Sequence, residues 1–364
     1  MYHFFGKNLW LWITLLACMV TYFILSLHVM DNDGWFILTN GRYILEHGIP
    51  YENLFTWVEG LDVVLQQWAY SVVVYSIYQW FKVPGIFLFC CLLHIACLIL
   101  FCKIAKLKQV DTKTALVLSS VMLLIGSGFL SIRPTFITIL LLLWQVYVLE
   151  QYRKDGKAWK LWQLVLISLF EINFHAAIWP FHFVMLLPYL VPPIKNFFVK
   201  FKPKDYSINP FLIVIPLMAA VGFLNPYGID GIKYVFLSYG KELKDAGIVE
   251  LAAPSFQDSG LIFVLLLAVI LWWIALHREE KIDAPFFYIL CGTAIMGTMH
   301  LRNLIYAYFG ILLFLYEIVK QNKQTIKNMI YGNLVFAVFL GSIAFVWIGV
   351  SGKVLDYKQE DNLY

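Results

Sequence analysis

Charged residues are scarce in this sequence, and their scarcity argues against a soluble protein. Only 14% of the 364 residues are Asp, Glu, Lys or Arg, and 61% are hydrophobic, whereas soluble globular proteins are about 25% charged. Apolar runs long enough to cross a hydrocarbon core of about 30 Å follow one another to residue 350, with no polar block large enough to fold by itself. The sequence therefore predicts one integral-membrane domain over 1–364 and no separate soluble domain.

Several catalytic and binding motifs are also missing. No Walker loop, G-x-G-x-x-G, G-x-S-x-G or H-E-x-x-H pattern occurs, which removes the motif-based case for nucleotide binding, serine hydrolysis and zinc proteolysis. The six cysteines lie in or beside apolar runs without a C-x-x-C pair, so we expect buried thiols rather than a disulfide or a zinc site. The net charge of +4 comes mostly from short basic clusters between apolar runs, which does not indicate nucleic acid as a partner.

Those basic clusters determine the predicted topology, because loops rich in Lys and Arg stay in the cytoplasm. Threading the chain on that rule predicts an all-α polytopic protein of about 11 transmembrane helices with a cytoplasmic N-terminus. The predicted spans are 9–29, 84–102, 114–131, 134–150, 161–179, 181–194, 208–224, 260–276, 285–300, 303–319 and 329–350.

Two segments depart from simple spans. The 181–194 run is short and proline-rich, so we expect it to be irregular. If 62–81 were a span, the basic cluster that follows it would lie outside the membrane, against the positive-inside rule. The Gln, Trp and Tyr side chains of 62–81 also suit a membrane interface. We therefore expect 62–81 to be a surface or re-entrant helix that packs with a helix over 34–47. The first extracytoplasmic loop, 30–83, would then carry interfacial helices.

The same topology places the unusual polar residues near the outer membrane face. Ionisable groups at the depth of a span are costly and are functional candidates by default. Their convergence at one face predicts a single outer-facing site. The residues concerned are Asp31, Asp33, Arg42, Arg133, Asn173, His175, Asn225, Glu250, His300 and Arg302.

The two aspartates and the two arginines each have a plain interpretation beside a functional one. Asp33 followed by Gly34 is typical of a helix N-cap, with Gly48 as the stop, while a carboxylate there could also be a general base or a metal ligand. Arg133 lies between two spans and could snorkel to lipid headgroups or bind a lipid phosphate through two parallel hydrogen bonds. Arg302 at a second such boundary strengthens the phosphate interpretation.

The remaining candidates are weaker on their own. Glu171 and His175 share a helix face at i and i+4, although a structural histidine is the default, and His182 is a minor candidate nearby. Asn225 begins a turn sequence, Asn-Pro-Tyr-Gly. Glu250 could hydrogen-bond a sugar hydroxyl or be an exposed loop carboxylate.

The run from Asp31 to Arg42, Asp-Asn-Asp-Gly-Trp-Phe-Ile-Leu-Thr-Asn-Gly-Arg, resembles the opening loop of bacterial members of the GT-C superfamily of integral-membrane glycosyltransferases. Two departures stand out. Ile37 occupies a position where a histidine is common, and only 351–364 follow the last predicted span, where many relatives carry a large extracytoplasmic domain. Fragments that match further along the chain are Gln67-Trp68, Arg133-Pro134, Asn173-Phe174-His175 and Asn225-Pro226-Tyr227-Gly228.

The resemblance implies inverting transfer of a sugar from a polyprenyl-phosphate carrier to a hydroxyl of a glycan, lipid or protein acceptor, outside a bacterial cytoplasmic membrane. In some relatives the acidic motif holds a divalent cation, so Asp31 and Asp33 would be the ligands of Mg²⁺ or Mn²⁺. The implied site has Asp33 or Asp31 as the base, Arg133, Arg302, His175 and His300 at the lipid phosphate, and Asn173, Glu250 and Arg42 at the acceptor or sugar.

Two other functions fit parts of the sequence. A transporter or flippase of lipid-linked glycans would need polar groups along a path across the membrane, and the clustering at one face favours the enzyme. A catalytically silent scaffold with the same fold would carry the same residues.

Overall fold

The computed structural model describes residues 16, 20, 30, 32–52, 60, 62–126, 132–194, 200–237, 252–254, 260–277 and 281–321, and these are predominantly helical. Two-residue strands, β1 (Lys200–Phe201) and β2 (Lys281–Ile282), pair in parallel. Single 3₁₀ turns cover Ala158–Leu161, Ala176–Ile178, Val221–Phe223 and Leu301–Asn303. The α-helices are α1 (Asn32–His47), α2 (Trp68–Leu107), α3 (Thr112–Ile125), α4 (Thr135–Asp155), α5 (Trp162–Phe174), α6 (Trp179–Val184), α7 (Leu187–Leu190), α8 (Phe211–Ala220), α9 (Gly228–Leu237), α10 (Gly260–Leu276), α11 (Ala284–Met299) and α12 (Leu304–Gln321).

Helix α1 begins two residues earlier than the N-cap prediction requires. Because the helix starts at Asn32, Asp33 lies inside the first turn, where a carboxylate still faces the positive end of the helix dipole. The prediction of Asp33 as the N-cap is therefore wrong. The predicted stop is confirmed, since Gly48 adopts φ +89° and donates its N–H to the carbonyl of Ile44 at 2.9 Å.

Helix α2 is 40 residues long but is broken at Lys82, where φ is 53° and ψ is −153°. Pro84 follows the break and has no N–H to continue the ladder. An unbroken helix of this length would reach about 60 Å, twice the hydrocarbon core. The break separates 68–81 from 83–107, the boundary that the sequence predicts between a surface helix and a span.

The first half of α2 packs closely on α1. A Cβ added to Gly41 would lie 2.1 Å from the carbonyl oxygen of Ser71, so the two backbones approach at a distance that only glycine allows. The predicted packing of 62–81 against 34–47 is confirmed. That 62–81 does not cross the membrane stays a prediction.

Three described helical units are long and apolar enough to cross a membrane: Trp68–Leu107, Thr135–Asp155 and Leu301–Gln321. Phe211–Phe223 and Gly228–Leu237 are bent by 104° and qualify only as a pair, as a broken span or a re-entrant loop. The shorter apolar helices Thr112–Leu123, Leu261–Leu276 and Ala284–Met299 overlap the predicted spans at 114–131, 260–276 and 285–300. The predicted spans at 9–29 and 329–350 lie outside the described residues, apart from isolated positions 16 and 20.

The prediction of one continuous helical span over 161–179 is wrong. Helix α5 ends at Phe174, and His175 has φ −155° and ψ 67°, which no α-helix contains. A 3₁₀ turn and the short helices α6 and α7 follow, so the irregularity predicted for 181–194 is confirmed. The break matters for the site, because His175 lies at the break and lines the cavity described below.

A buried group of four charges ties together three distant parts of the chain at one end of α4. Lys108 contacts Glu150 at 2.7 Å and also Asp283, while Arg153 contacts Glu150 at 2.7 Å and Asp283 at 3.0 Å. Burial alone would raise the pKa of the Asp283 carboxyl, but Lys108 and Arg153 hold it well below its usual range. We call Lys108, Glu150, Arg153 and Asp283 the Lys108 cluster. Two cations and two carboxylates balance in it, and Tyr189 donates a hydrogen bond to Glu150 at 3.1 Å.

Lys108 and Arg153 belong to two of the basic clusters between apolar runs, and both side chains are largely buried. The Lys108 cluster also marks one end of the helical bundle. Arg133, just before α4, is 20 residues from Arg153, which corresponds to about 30 Å of helix. Two polar regions therefore lie at opposite ends of a helix that is as long as a hydrocarbon core is thick.

Candidate active site

A cavity of about 310 Å³ lies at the end of α4 opposite the Lys108 cluster. Four of the predicted site residues line it: Asp33, Arg133, His175 and Arg302. These residues are far apart in the sequence, so their convergence comes from packing. The rest of the lining is Phe36, Ile37, Gln67, Pro134, Thr135, Ile178, Asn303 and Tyr306.

Asp33 and Arg133 form an ion pair across the cavity. Arg133 Nη2 lies 3.0 Å from Asp33 Oδ2, and the side chains are 31% and 58% exposed, respectively. Arg133 is positioned by the start of α4, where its carbonyl accepts the N–H of Phe136 at 3.1 Å. The hydroxyl of Tyr70, from α2, donates to the carbonyl of the preceding residue, Ile132. The pair thus joins the first turn of α1 to the N-terminus of α4.

Arg302 reaches the cavity from the 3₁₀ turn Leu301–Asn303, between α11 and α12. The turn is held on both sides. Leu301 donates its N–H to the carbonyl of Ala252 at 2.8 Å, and the Asn303 side chain donates to the carbonyl of Met296 at 3.2 Å. A second guanidinium therefore lines the same cavity as the Asp33–Arg133 pair, on a turn that is hydrogen-bonded to two other segments.

Behind His175 lies a chain of buried polar side chains that leads away from the cavity. The hydroxyl of Thr138 lies 2.8 Å from His175 Nδ1 and donates to Glu171 Oε1 at 2.5 Å. The other carboxylate oxygen of Glu171 is 3.3 Å from His182 Nε2, and both side chains are fully buried. A buried carboxylate is therefore connected to the cavity through one hydroxyl and one imidazole.

Three predicted residues do not line the cavity. Arg42 makes an exposed ion pair with Glu46 at 3.0 Å. Asn173 is 8% exposed, and its amide is used internally, accepting from Trp68 Nε1 at 2.9 Å and donating to the carbonyls of Leu169 and Leu224. His300 immediately precedes the turn that carries Arg302 and does not line the cavity. Asp31 and Glu250 lie outside the described residues.

The described surroundings of Asp33 do not fit a divalent cation, and Asp31, the other predicted ligand, lies outside the described residues. Its carboxylate already faces a guanidinium, which would repel a metal ion placed beside it. In the described part of the chain, no group of three or more His, Cys, Asp or Glu side chains is arranged to hold a metal. No step of the chemistry below is therefore assigned to a metal ion.

The cavity also contains residues that the sequence analysis did not select. Gln67 belonged to a fragment of the family resemblance, which was the signal that could have identified it. Thr135 and Tyr306 lie inside apolar runs, where threonine and tyrosine are ordinary. Thr138, behind the cavity, carried no signal either, because its role depends on a neighbour in α5.

Comparison with known proteins adds no identity to this geometry. No family model matches the chain, and no curated protein matches it. The functional argument therefore depends on the cavity and on the resemblance in the first loop.

Proposed function

We propose that this protein is a GT-C-type membrane glycosyltransferase that takes its sugar from a polyprenyl-phosphate carrier. The observation that carries the proposal is the composition of the cavity, in which one carboxylate and two guanidinium groups meet beside helices fit to cross a bilayer. Arginine suits a phosphate because its planar donors match the phosphate oxygens. A lipid-linked donor also suits a chain without a nucleotide-binding motif.

The proposed chemistry uses each group once. The acceptor oxygen attacks the anomeric carbon, its proton passes to the carboxylate of Asp33, and the bond between that carbon and the phosphate oxygen breaks. The phosphodiester thereby becomes a phosphomonoester with one more negative charge. Arg133 and Arg302 stabilise this charge on the leaving group.

The size of the cavity supports a small reacting unit. Small-molecule sites measure about 300–1,000 Å³, and this cavity lies at the lower end. It suits one sugar with its phosphate, with the polyprenyl tail outside in lipid and the acceptor entering from water.

The proposed orientation places the cavity outside a bacterial cytoplasmic membrane, with about 11 spans in all. The Lys108 cluster supports this orientation, because it lies at the other end of α4, beside the basic loops that the positive-inside rule assigns to the cytoplasm.

The test compares two matched carboxylates. Asp33 and Asp230 both lie in the first turn of a helix, are more than half exposed, and pair with a cation at 3.0 Å and 2.9 Å, respectively. Only Asp33 lines the cavity. We expect Asp33→Asn to lower the transfer rate by about 10²–10⁴-fold, the usual contribution of a general base, and Asp230→Asn to keep the parental rate.

The assay measures release of polyprenyl phosphate from a panel of polyprenyl-phosphate hexoses by the purified protein in nanodiscs, with membrane extract as the acceptor source. This readout detects cleavage whichever hydroxyl accepts the sugar, and it separates an enzyme from a flippase, which moves its lipid intact. Parental release by Asp33→Asn would contradict the assignment of the base. If no donor in the panel released polyprenyl phosphate, the proposal that this protein is a glycosyltransferase would be contradicted.

A further inference from the structure

Glu171 is fully buried, yet two of its neighbours are histidines, and one of these lines the cavity. Burying an ionised carboxylate is costly unless it is paired and hydrogen-bonded. The hydrogen-bond geometry around Glu171 shows where the protons lie, and it assigns His175 a role that the proposed transfer chemistry does not yet use.

The contacts with Gln145 show which ring nitrogen of His182 carries a proton. The amide nitrogen of Gln145 donates to the carbonyl of His182 at 2.8 Å, so the amide oxygen must be the atom that meets His182 Nδ1 at 2.5 Å. An amide oxygen only accepts, and Nδ1 therefore carries a proton. Nε2 then faces Glu171 Oε2 at 3.3 Å.

The contacts of Thr138 show which ring nitrogen of His175 carries a proton. A threonine hydroxyl has one proton, and its oxygen lies 2.5 Å from Glu171 Oε1 and 2.8 Å from His175 Nδ1. When the hydroxyl donates to the carboxylate, it accepts from Nδ1–H. This arrangement leaves Nε2 as the ring nitrogen available to a molecule in the cavity.

We propose that His175 is the acid–base residue for the phosphate in this cavity, and that Thr138 and Glu171 are positioning residues that fix its tautomer and stabilise its charged form. The proposal depends on the proposed function for the identity of the ligand, a lipid phosphodiester. On binding, Nε2 takes a proton from water, and the new N–H donates to a phosphate oxygen. As the sugar–oxygen bond breaks, this N–H bond can break and an O–H bond form on the leaving phosphate.

Several charges face His175 and determine the sign of its pH dependence. Burial lowers the pKa of the His175 imidazole below its usual value, Glu171 in α5 opposes this shift, and Arg302 and His182 add to it. Asp33 and Arg133 line the same cavity as an ion pair. Because a protonated His175 attracts an anion, affinity for a phosphodiester should rise as pH falls through the titration of His175. Removing the Glu171 charge should move this rise to lower pH.

The experiment measures the affinity of farnesyl methyl phosphate for the protein in nanodiscs between about pH 5 and 8, the window in which histidine titrates. This probe is a phosphodiester with a tail, so its own charge is constant there. We expect affinity to rise by about tenfold toward low pH, since a hydrogen bond to a charged group contributes that much or more. His175→Gln should bind with no pH dependence, and His47→Gln, an exposed histidine outside the cavity, should keep the parental profile.

Glu171→Gln tests the positioning role. Its amide oxygen can accept from Thr138 and its amide nitrogen can donate to His182 Nε2, so all the buried partners stay satisfied and the variant should fold. We expect its profile to keep its shape with a midpoint at lower pH. Lower affinity at an unchanged midpoint would show a structural role only and would overturn this assignment. Repeating the series in Asp33→Asn removes the carboxylate that lines the cavity, so that any pH dependence arising from the Asp33–Arg133 pair is separated from that of His175.

The remaining outcomes separate the two proposals. Binding that does not depend on pH in the parent protein would overturn the role of His175 while the phosphate site stands. Absence of binding at every pH would overturn both.

Discussion

The Lys108 cluster supplies a stability prediction whose magnitude follows from burial. Lys108, Glu150 and Asp283 each expose only 6–7% of their side chains. Replacing Lys108 with Met keeps its apolar stem but leaves two buried carboxylates facing one guanidinium. Breaking a buried ion pair in this way costs about 3–5 kcal/mol. The exposed pair Lys233–Asp230, with side chains 60% and 70% exposed, should contribute only about 0.2–1 kcal/mol.

The assay is thermal unfolding in detergent, followed by intrinsic fluorescence, with Lys108→Met compared with Lys233→Met. We expect a much larger fall in midpoint for Lys108→Met. Adding Asp283→Asn to Lys108→Met restores one cation and one carboxylate, so the double variant should recover part of the loss, and the double-mutant cycle should show coupling. Equal midpoints for Lys108→Met and Lys233→Met would refute the view that the cluster holds the helix ends together.

Two further predictions concern the first loop. Gly41→Ala should destabilise the protein by about 1–3 kcal/mol through the clash with Ser71. The control is Gly292→Ala, in a helix with open space around the glycine, which should stabilise the protein by up to about 1 kcal/mol. Thermal unfolding of both variants compares the signs, and a stabilised Gly41→Ala would refute the close packing of α1 on α2. Lys82→Cys in a cysteine-free background should react with an impermeant maleimide from the extracytoplasmic side, and labelling only from the cytoplasmic side would show that 62–81 crosses the membrane.

Local features of the fold follow from the sequence because their causes lie within a few residues. Gly48 ends α1 because only a residue that tolerates positive φ suits that position. The apolar runs predict helices because backbone groups in lipid must be satisfied within the segment. The same reasoning fails at His175, where a polar break interrupts an apolar run, and at Asp33, where the helix begins two residues earlier than its capping signal suggests.

The candidate site is partly predictable for the same reason. Arg133 and Arg302 each separate two apolar runs, so both had to lie at a membrane face, and the count of spans put them at the same one. The sequence places Arg42 at the same outer face as Arg133, and it does not decide which of the two arginines lines the cavity. Packing alone puts Arg133 on the cavity and Arg42 in an exposed pair with Glu46.

The sequence by itself determined that this chain is helical and apolar enough for a membrane. It also determined which polar residues are candidates for a site. Tertiary structure decided which of them meet. Thr138 links His175 to Glu171 only because α4 packs beside α5, and Lys108 becomes a buried charge only because Glu150 and Asp283 surround it. The physical reason is that hydropathy and turn signals are local, whereas the partner that makes a buried charge tolerable comes from a distant segment.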